Sequence, residues 1–261
     1  MANLLQTCLR ILQQPDPAQK VTLALGIEQD VLSSPMHNVP MAIPDHPARP
    51  KNLTMVAPGK APKRKWGSEA GRLTLLHAIA HIELNAIDLA FDMIARFALS
   101  IDKTWQAEFC KDWLRVGQEE ARHFTLVTHL LNDRGIAYGD LPVHSGMWDA
   151  AISTSDCVLA RLAIAPLVLE ARGLDVTPPM IKKLQQAGDE QAVAVLQVIY
   201  TEEIGHVAIG AKWFKRLCRQ QELDPKDQFQ YLVETRHTST LKPPFNVAAR
   251  TEAGLPEGFY S

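Results

Sequence analysis

The stretch HAIAHIELNAIDLAFD, residues 77–92, decides the fold of this 261-residue chain. Its apolar side chains recur every three or four residues and form a single helical stripe with Glu83 at the centre. A buried carboxylate is costly unless a partner compensates its charge, so this position needs one. The surrounding run from Ser68 to Leu99 contains no proline, and it predicts a long helix with Ser68 as its N-cap.

A second long helix, predicted from about Lys103 to Arg134, shows the same anomaly. Its apolar stripe contains Glu120 and, three residues later, His123. Residues three apart on a helix lie on the same face, so both side chains can reach one point. Gly135 follows the helix and favours its termination.

Two further helices repeat this order of residues. The third ends near Gly173 and contains Glu170 in its stripe, and Thr177 is expected to begin a new helix. The fourth, from about Asp189 to Gln220, contains Glu203 and His206 with the Glu-x-x-His spacing. The chain therefore reads as a lone Glu, a Glu-x-x-His, a second lone Glu and a second Glu-x-x-His.

This order is the ligand set of carboxylate-bridged dimetal helical bundles, and it predicts two metal ions. Four carboxylates and two imidazoles suit iron, manganese or a mixture of both, with iron favoured. Zinc prefers fewer ligands and more sulfur, and calcium avoids histidine. The predicted metal ligands are Glu83, Glu120, His123, Glu170, Glu203 and His206.

Two alternatives stay open at this point. The acids could form a metal-free ion-pair network with the histidines, Arg122 or Arg172. The neighbouring Glu119 and Glu202 could also replace Glu120 and Glu203 as ligands. Because their own helical stripes contain basic residues, we interpret Glu119 and Glu202 as flanking residues.

The predicted fold is an all-α, ferritin-like four-helix bundle with one long crossover, spanning residues 68–220. Residues 1–67 are expected to form a short helical hairpin, whose second helix is Lys20–Leu32, and an extended arm, Ser33–Gly67, that contains seven prolines. The run Lys60–Lys65 in this arm is interpreted as a solvated linker. Residues 221–261 are expected to form a short helix, about Pro225–Thr235, and a tail.

Composition narrows the function. Lys and Arg number 27 against 29 Asp and Glu, so net charge gives no signal for nucleic acid or an anionic membrane. The four cysteines are scattered, which argues against a disulfide framework, and no long uninterrupted apolar segment is present. We expect a cytoplasmic protein, and a homodimer is compatible with the sequence.

Four motifs resemble one known family. They are residues 77–92, EEARHF (119–124), LEARGLDVTP (169–178) and EEIGHVAIG (202–210), and YGDLPVH, KWF and PPFNVAAR extend the match. Together they are similar to the ferritin-like domain-of-unknown-function family numbered 455. The resemblance implies a ferritin-like bundle and a dimetal centre, but no settled activity. The ligand order alone is similar to di-iron monooxygenases, including a bacterial tRNA hydroxylase class.

Residues around the predicted ligands are less clearly assigned. His77 and His81 lie on the opposite side of their helix from Glu83, so they are not expected to bind the metal directly. They could orient a carboxylate ligand, but packing hydrogen bonds to the arm or tail are favoured. Tyr200, one turn before Glu203, could donate to a ligand, act as a redox-active phenol or simply pack in the core. Pro166 is expected to kink the third helix. No role follows from sequence for His144, Asn246 or Arg250.

Two functions are consistent with this pattern. The first is an oxidoreductase that activates dioxygen or peroxide and needs a small-molecule substrate and an electron donor. The second is a ferroxidase-like, iron-handling protein without an organic substrate. The long arm and tail favour the oxidoreductase, since simple storage bundles lack such additions.

Overall fold

The computed structural model describes residues 3–33, 42–57, 60, 68–237 and 240–260. Within these ranges the chain is all-α, as the sequence predicts, and an isolated parallel bridge between Met55 and Val143 is the one element of β pairing. The chain divides into two compact units, Met1–Trp148 and Asp149–Ser261. The single ferritin-like bundle and the division at residues 67 and 220 stay predictions.

The first unit contains two short and two long helices. They are α1 Leu4–Gln13, α2 Pro17–Leu25, α3 Glu69–Phe97 and α4 Gln106–Asn132. Helix α1 packs on α3, α2 packs on α4, and α3 and α4 pack along each other. Helix α2 begins earlier than predicted because the Asp16 side chain caps it and Pro17 occupies its first turn.

The ends of α3 and α4 follow the predicted signals. The Ser68 hydroxyl accepts a hydrogen bond from the Gly71 amide at 3.2 Å, which caps α3. Gly135 adopts φ 75° just after α4, a conformation that glycine accommodates without strain. The two helices approach closely at Gly117, where an added methyl group would lie 2.8 Å from the Phe91 ring.

The described part of the arm lies on the helices of the same unit. The Ala48 amide donates to the Leu12 carbonyl at 2.7 Å, and the Trp148 indole donates to the Asp45 carbonyl at 2.7 Å. Of the basic run, Lys63, Arg64 and Lys65 lie outside the described residues. The interpretation of that run as a linker stays a prediction.

The second unit is built around one long helix. The elements after α4 are α5 Gly146–Ile152, α6 Val158–Ile164, the π turn Ala165–Glu170, α7 Ala171–Gln186, α8 Glu190–Gln220, α9 Pro225–Arg236 and α10 Val247–Glu252. Helix α5 contains the boundary between the units, and α8 is the long central helix of the second unit. The π turn and α7 pack on α8.

The third predicted helix requires a correction. The predicted end near Gly173 and new start at Thr177 are wrong, because α7 continues to Gln186 through two prolines. Pro178 has no amide hydrogen for the Leu174 carbonyl, but the Asn246 side-chain amide donates to that carbonyl at 3.1 Å. Near Pro166 the helix changes from α to π geometry, which is how the proline is accommodated.

Two helical segments have the length and composition of membrane spans. They are Glu69–Ser100, which contains α3, and α8. In the first, 83% of the most apolar window is buried inside the protein, and in the second 44% is buried. Core helices of soluble proteins show the same properties, so this is weak evidence for a membrane. The cytoplasmic location stays a prediction.

Candidate metal centre

The first half-site lies between α3 and α4. Its members are Glu83 on α3 and Glu120 and His123 on α4, and Glu120 and His123 are completely buried. The Nδ1 atom of His123 lies 3.3 Å from Oε2 of Glu83 and 3.5 Å from Oε2 of Glu120. The three residues can bring one ligand atom each to within 4.8 Å of one another. This buried group could bind a metal ion.

The electrostatics of this group favour a cation. Burial and the nearby Glu120 carboxylate hold the pKa of Glu83 well above its ordinary value. Burial lowers the pKa of His123, but its contacts with Glu120 and Glu83 outweigh burial and raise that pKa to about 11. These closely spaced carboxylates therefore favour nearby positive charge, which either a protonated His123 or a divalent ion can supply.

The second half-site lies in the other unit. Glu203 and His206 occupy one face of α8, with Nδ1 of His206 3.6 Å from Oε1 of Glu203. Glu170 is buried at the end of the π turn that packs on α8. Glu203 exposes 13% of its side chain, whereas His206 is completely buried. This half-site is thus more open at one carboxylate than the first.

A close backbone approach holds the π turn against α8. A methyl group at Gly210 would lie 2.5 Å from Cβ of Pro166, closer than real side-chain atoms come. Only glycine fits at this position without a shift of the proline. Gly210 lies on α8 one turn after His206, so the contact fixes the π turn beside the second half-site.

Five residues after Glu83, Asp88 forms a buried ion-pair cluster. Its carboxylate is completely buried and contacts Lys20, which is 1% exposed, and Arg49, whose side chain is 17% exposed. Arg49 also donates to Asn85 at 2.7 Å. The cluster ties α2 and the arm to the helix that carries Glu83.

Five residues after Glu170, Asp175 forms the equivalent cluster in the second unit. Arg250 donates to both its oxygens, at 2.8 and 2.7 Å, and Arg172 lies 3.3 Å away. The Arg250 guanidinium also lies over the rings of Phe245 and Tyr260. Sequence reasoning missed both clusters, although the shared spacing of Glu and Asp was visible.

Glu119 behaves as its helical stripe predicts. It accepts from Arg115 at 3.0 Å and lies 3.7 Å from Arg122. Of the cations named in the metal-free alternative, Arg122 and Arg172 each contact an acid outside the predicted ligand set, whereas the two histidines contact acids within it. The interpretation of Glu202 as a flanking residue stays a prediction.

His77 and His81 contact the loop after α4, so the predicted contacts with the arm or tail are wrong. The Nε2 atom of His77 accepts hydrogen bonds from the amides of Gly139 and Leu141, which requires a neutral ring. Nε2 of His81 lies 3.1 Å from the His144 carbonyl, so it carries the hydrogen, and Nδ1 accepts from the Tyr138 hydroxyl at 2.8 Å. Burial, then Arg49, lowers the pKa of His81 to about 4.

The three residues without a sequence assignment now have defined contacts. The His144 carbonyl holds His81, Arg250 holds Asp175, and Asn246 donates to the Tyr200 hydroxyl at 3.0 Å. Their partners were not predictable, since the sequence separations range from 46 to 75 residues.

Fold and site together define an all-α protein with a buried Glu/His group that could bind a metal ion. The chain belongs to the family described as "Protein of unknown function (DUF455)", whose model matches residues 13–261. An uncharacterized protein of Haemophilus influenzae is 37% identical over 254 residues, which cover 94% of this chain and 88% of that protein. No solved structure gives a significant match.

Proposed function

We propose that this chain is a dimetal carboxylate protein in which each half-site holds one ion. The buried group of the first half-site is the observation that carries the proposal. The ligand order along the chain, which is that of carboxylate-bridged dimetal bundles, supports the pairing of the two ions. The proposed ligands are Glu83, Glu120 and His123 for one ion, and Glu170, Glu203 and His206 for the other.

Iron is the proposed metal, alone or mixed with manganese. An oxygen-rich donor set with one imidazole per ion matches both metals and contains no thiolate. Cys110 and Cys218, the cysteines on α4 and α8, are buried, and burial raises the pKa of each thiol to about 12. They are therefore neutral thiols, whereas a thiolate is the form that binds metal.

The proposed activity is oxidation of a small-molecule substrate. When bound, two reduced ions would provide the electrons for reduction of dioxygen or peroxide, and an external electron donor would be needed to return them to the reduced state. The protein's own residues fix the ligand geometry, and burial excludes water from Glu120 and His123. The partial exposure of Glu203 supports access for a substrate at the second half-site.

An iron-handling, ferroxidase-like role is the second candidate. The complete burial of Glu120 and His123 favours it, because a closed site suits iron oxidation without an organic substrate. The same ligands would serve both functions, so the distinction depends on what reaches the second half-site.

Metal analysis after anaerobic reconstitution with ferrous iron tests the proposal. We expect two equivalents of iron per chain in the wild type and loss of at least one equivalent in Glu120→Ala. The control is Glu119→Ala, which should bind as much iron as the wild type, because Glu119 pairs with the exposed Arg115. Glu203→Ala and Glu202→Ala form the matched pair for the second half-site. Binding below about 0.2 equivalents of iron plus manganese would contradict both candidates.

Iron oxidation with excess metal separates the two candidates. An iron-handling protein should oxidise many equivalents of ferrous iron per chain, whereas an oxidoreductase should stop near the two bound ions. Dioxygen consumption with a supplied reductant and no free iron would favour the oxidoreductase. The Glu120→Ala protein should show neither activity.

A further inference from the structure

The side chain of Asn246 connects the C-terminal segment, residues Lys242–Arg250, with α7 and α8. Its Nδ2 atom lies 3.1 Å from the Leu174 carbonyl oxygen and 3.0 Å from the Tyr200 hydroxyl. Its Oδ1 atom accepts from the Ala249 amide at 3.3 Å, where Asn246 is the N-cap of α10. The amide side chain thus has three partners on three different helices.

These partners fix the orientation of the amide group. A backbone carbonyl only accepts hydrogen bonds and a backbone amide only donates them, so Nδ2 must face Leu174 and Oδ1 must face Ala249. The second hydrogen on Nδ2 then points to Tyr200. The Tyr200 oxygen is therefore the acceptor in this contact, and its own phenolic hydrogen is directed elsewhere.

The segment that carries Asn246 is itself firmly held. The Asn246 backbone amide donates to Asp175 at 2.9 Å, and Arg250 binds both oxygens of the same carboxylate. Arg172 donates to the carbonyls of Lys242 and Pro244 at 2.9 and 3.2 Å. Asn246 is thus presented to Tyr200 by a braced backbone.

Tyr200 lies about one helical turn before the second half-site on α8, and its contact with Asn246 does not use the phenolic hydrogen. Tyr200 precedes Glu203 by three residues, so the two side chains lie on neighbouring positions of one helix face. In the described part of the chain, the contact with Asn246 is the one hydrogen bond of the Tyr200 hydroxyl. Tyr200 is half-buried, so part of this residue is accessible to solvent.

We infer that Asn246 is a positioning residue that makes Tyr200 a hydrogen-bond donor to a small anionic or oxygen-containing ligand entering the second half-site. The ligand part of this inference rests on the proposed function, whereas the Asn246–Tyr200 part rests on the described contacts alone. The chemical consequence is a neutral phenol that stabilises negative charge on the ligand without being a metal ligand itself.

Raman spectroscopy of the metal-free protein tests the contact between the two side chains. The tyrosine Fermi doublet reports whether a phenol oxygen accepts or donates a hydrogen bond, and the wild-type minus Tyr200→Phe difference isolates Tyr200. We expect an acceptor signature that is lost in Asn246→Ser. Serine keeps the N-cap of α10 but is too short to reach Tyr200. An unchanged signature in Asn246→Ser would overturn the inference.

Azide binding to the cobalt-substituted protein tests the ligand part. We expect about fivefold weaker azide binding in both Tyr200→Phe and Asn246→Ser, the effect of one hydrogen bond, with unchanged cobalt stoichiometry. Arg172→Gln is the structural control, because it removes the contacts with Lys242 and Pro244 while Asp175 still accepts from the Asn246 backbone amide. Its azide affinity should stay within twofold of wild type.

The outcomes are distinguishable. One outcome is that two equivalents of cobalt bind, but azide affinity is unchanged in Tyr200→Phe or in Asn246→Ser. This outcome overturns the inference and leaves the proposed function intact. An equal loss in Arg172→Gln also overturns it, because general loosening of the segment would then be the cause. Absence of cobalt from the second half-site overturns the proposed function and the ligand part together, while the Raman result still decides the contact.

Discussion

The two units build similar donor sets on different supports. In each, a lone Glu is followed five residues later by an Asp that two cations hold, Asp88 in the first unit and Asp175 in the second. The first Glu belongs to an uninterrupted α-helix, whereas Glu170 ends a π turn. We call each aspartate with its two cations the anchor of its unit. The comparison shows that the anchor is repeated, while the backbone conformation at the preceding Glu differs between the units.

The units also differ in what surrounds each buried ion pair. The side chains of Lys20 and Asp88 are 1% and 0% exposed, and those of Arg250 and Asp175 are 3% and 1% exposed, so both pairs are deeply buried. The Arg250 guanidinium also lies over two aromatic rings. The cation of the second pair therefore keeps favourable contacts when its carboxylate is removed.

Replacement of the two aspartates, one at a time, should give the largest difference in stability between the units. Asp88→Ala leaves Lys20 buried without its counter-ion, so we expect a loss of about 3–5 kcal/mol in the free energy of unfolding. Asp175→Ala should cost less, about 1–3 kcal/mol, because Arg250 keeps its ring contacts. Urea denaturation measures both.

The double variant Lys20→Met with Asp88→Leu is the control for this comparison. It removes both buried charges, so most of the stability lost in Asp88→Ala should return. A larger loss in Asp175→Ala than in Asp88→Ala would reverse the ranking of the two anchors.

Replacement of the two glycines at the close backbone approaches by alanine should give the next largest difference in stability between the units. Gly210→Ala forces a methyl group against the rigid Pro166 ring, and we expect a loss of about 2–3 kcal/mol. In Gly117→Ala the new methyl group would lie 2.8 Å from the Phe91 ring. This substitution should cost about 1 kcal/mol less than Gly210→Ala, because the ring can tilt. Thermal unfolding measures both, with Gly173→Ala as a control because no atom lies within 4 Å of its added methyl. Equal losses at Gly210 and Gly173 would contradict the close approach.

A fall in pH should weaken the His77 contact in the first unit, which is the smallest of the three predicted effects. Burial lowers the pKa of His77 below 6.5, and its ring must stay neutral to accept from the Gly139 amide. Its contribution is therefore complete above pH 6.5 and is lost as the pH falls through the folded-state value. We expect protection of the Gly139 amide from hydrogen exchange to fall about fivefold, after correction for intrinsic exchange.

His77→Gln is the control for the acid effect. Its side-chain carbonyl can accept from the same amides but does not titrate in this range. The pH dependence of Gly139 protection should therefore disappear in this variant. The same pH dependence in wild type and His77→Gln would assign the effect to another group.

Local signals in the sequence predicted the helices that carry Glu83, Glu120 and Glu203. Ser68 and Asp189 cap their helices through their own side chains, and Gly135 takes the conformation expected past a helix end. The meeting of Glu83, Glu120 and His123 also followed from the apolar stripes, because stripe positions of paired helices must face each other.

Distant partners explain what the sequence could not predict. Helix α7 continues past Pro178 because Asn246, 72 residues from Leu174, satisfies the exposed carbonyl. The Asp88 cluster depends on cations 39 and 68 residues away in the chain, and the Asp175 cluster depends on Arg250, 75 residues away, as well as on the nearby Arg172. The π turn follows from the steric fit of Pro166 to Gly210, which no local propensity encodes.

The order of the anchors along the chain has a consequence for biosynthesis. Lys20 and Arg49 have already been translated when Asp88 is made, whereas Arg250 is translated 75 residues after Asp175. At about 5–20 residues per second, this delay lasts on the order of 4–15 seconds. The nascent chain can therefore complete the first half-site's anchor well before the second, and a ribosome that stalls before residue 250 would leave one half-site supported and the other unsupported.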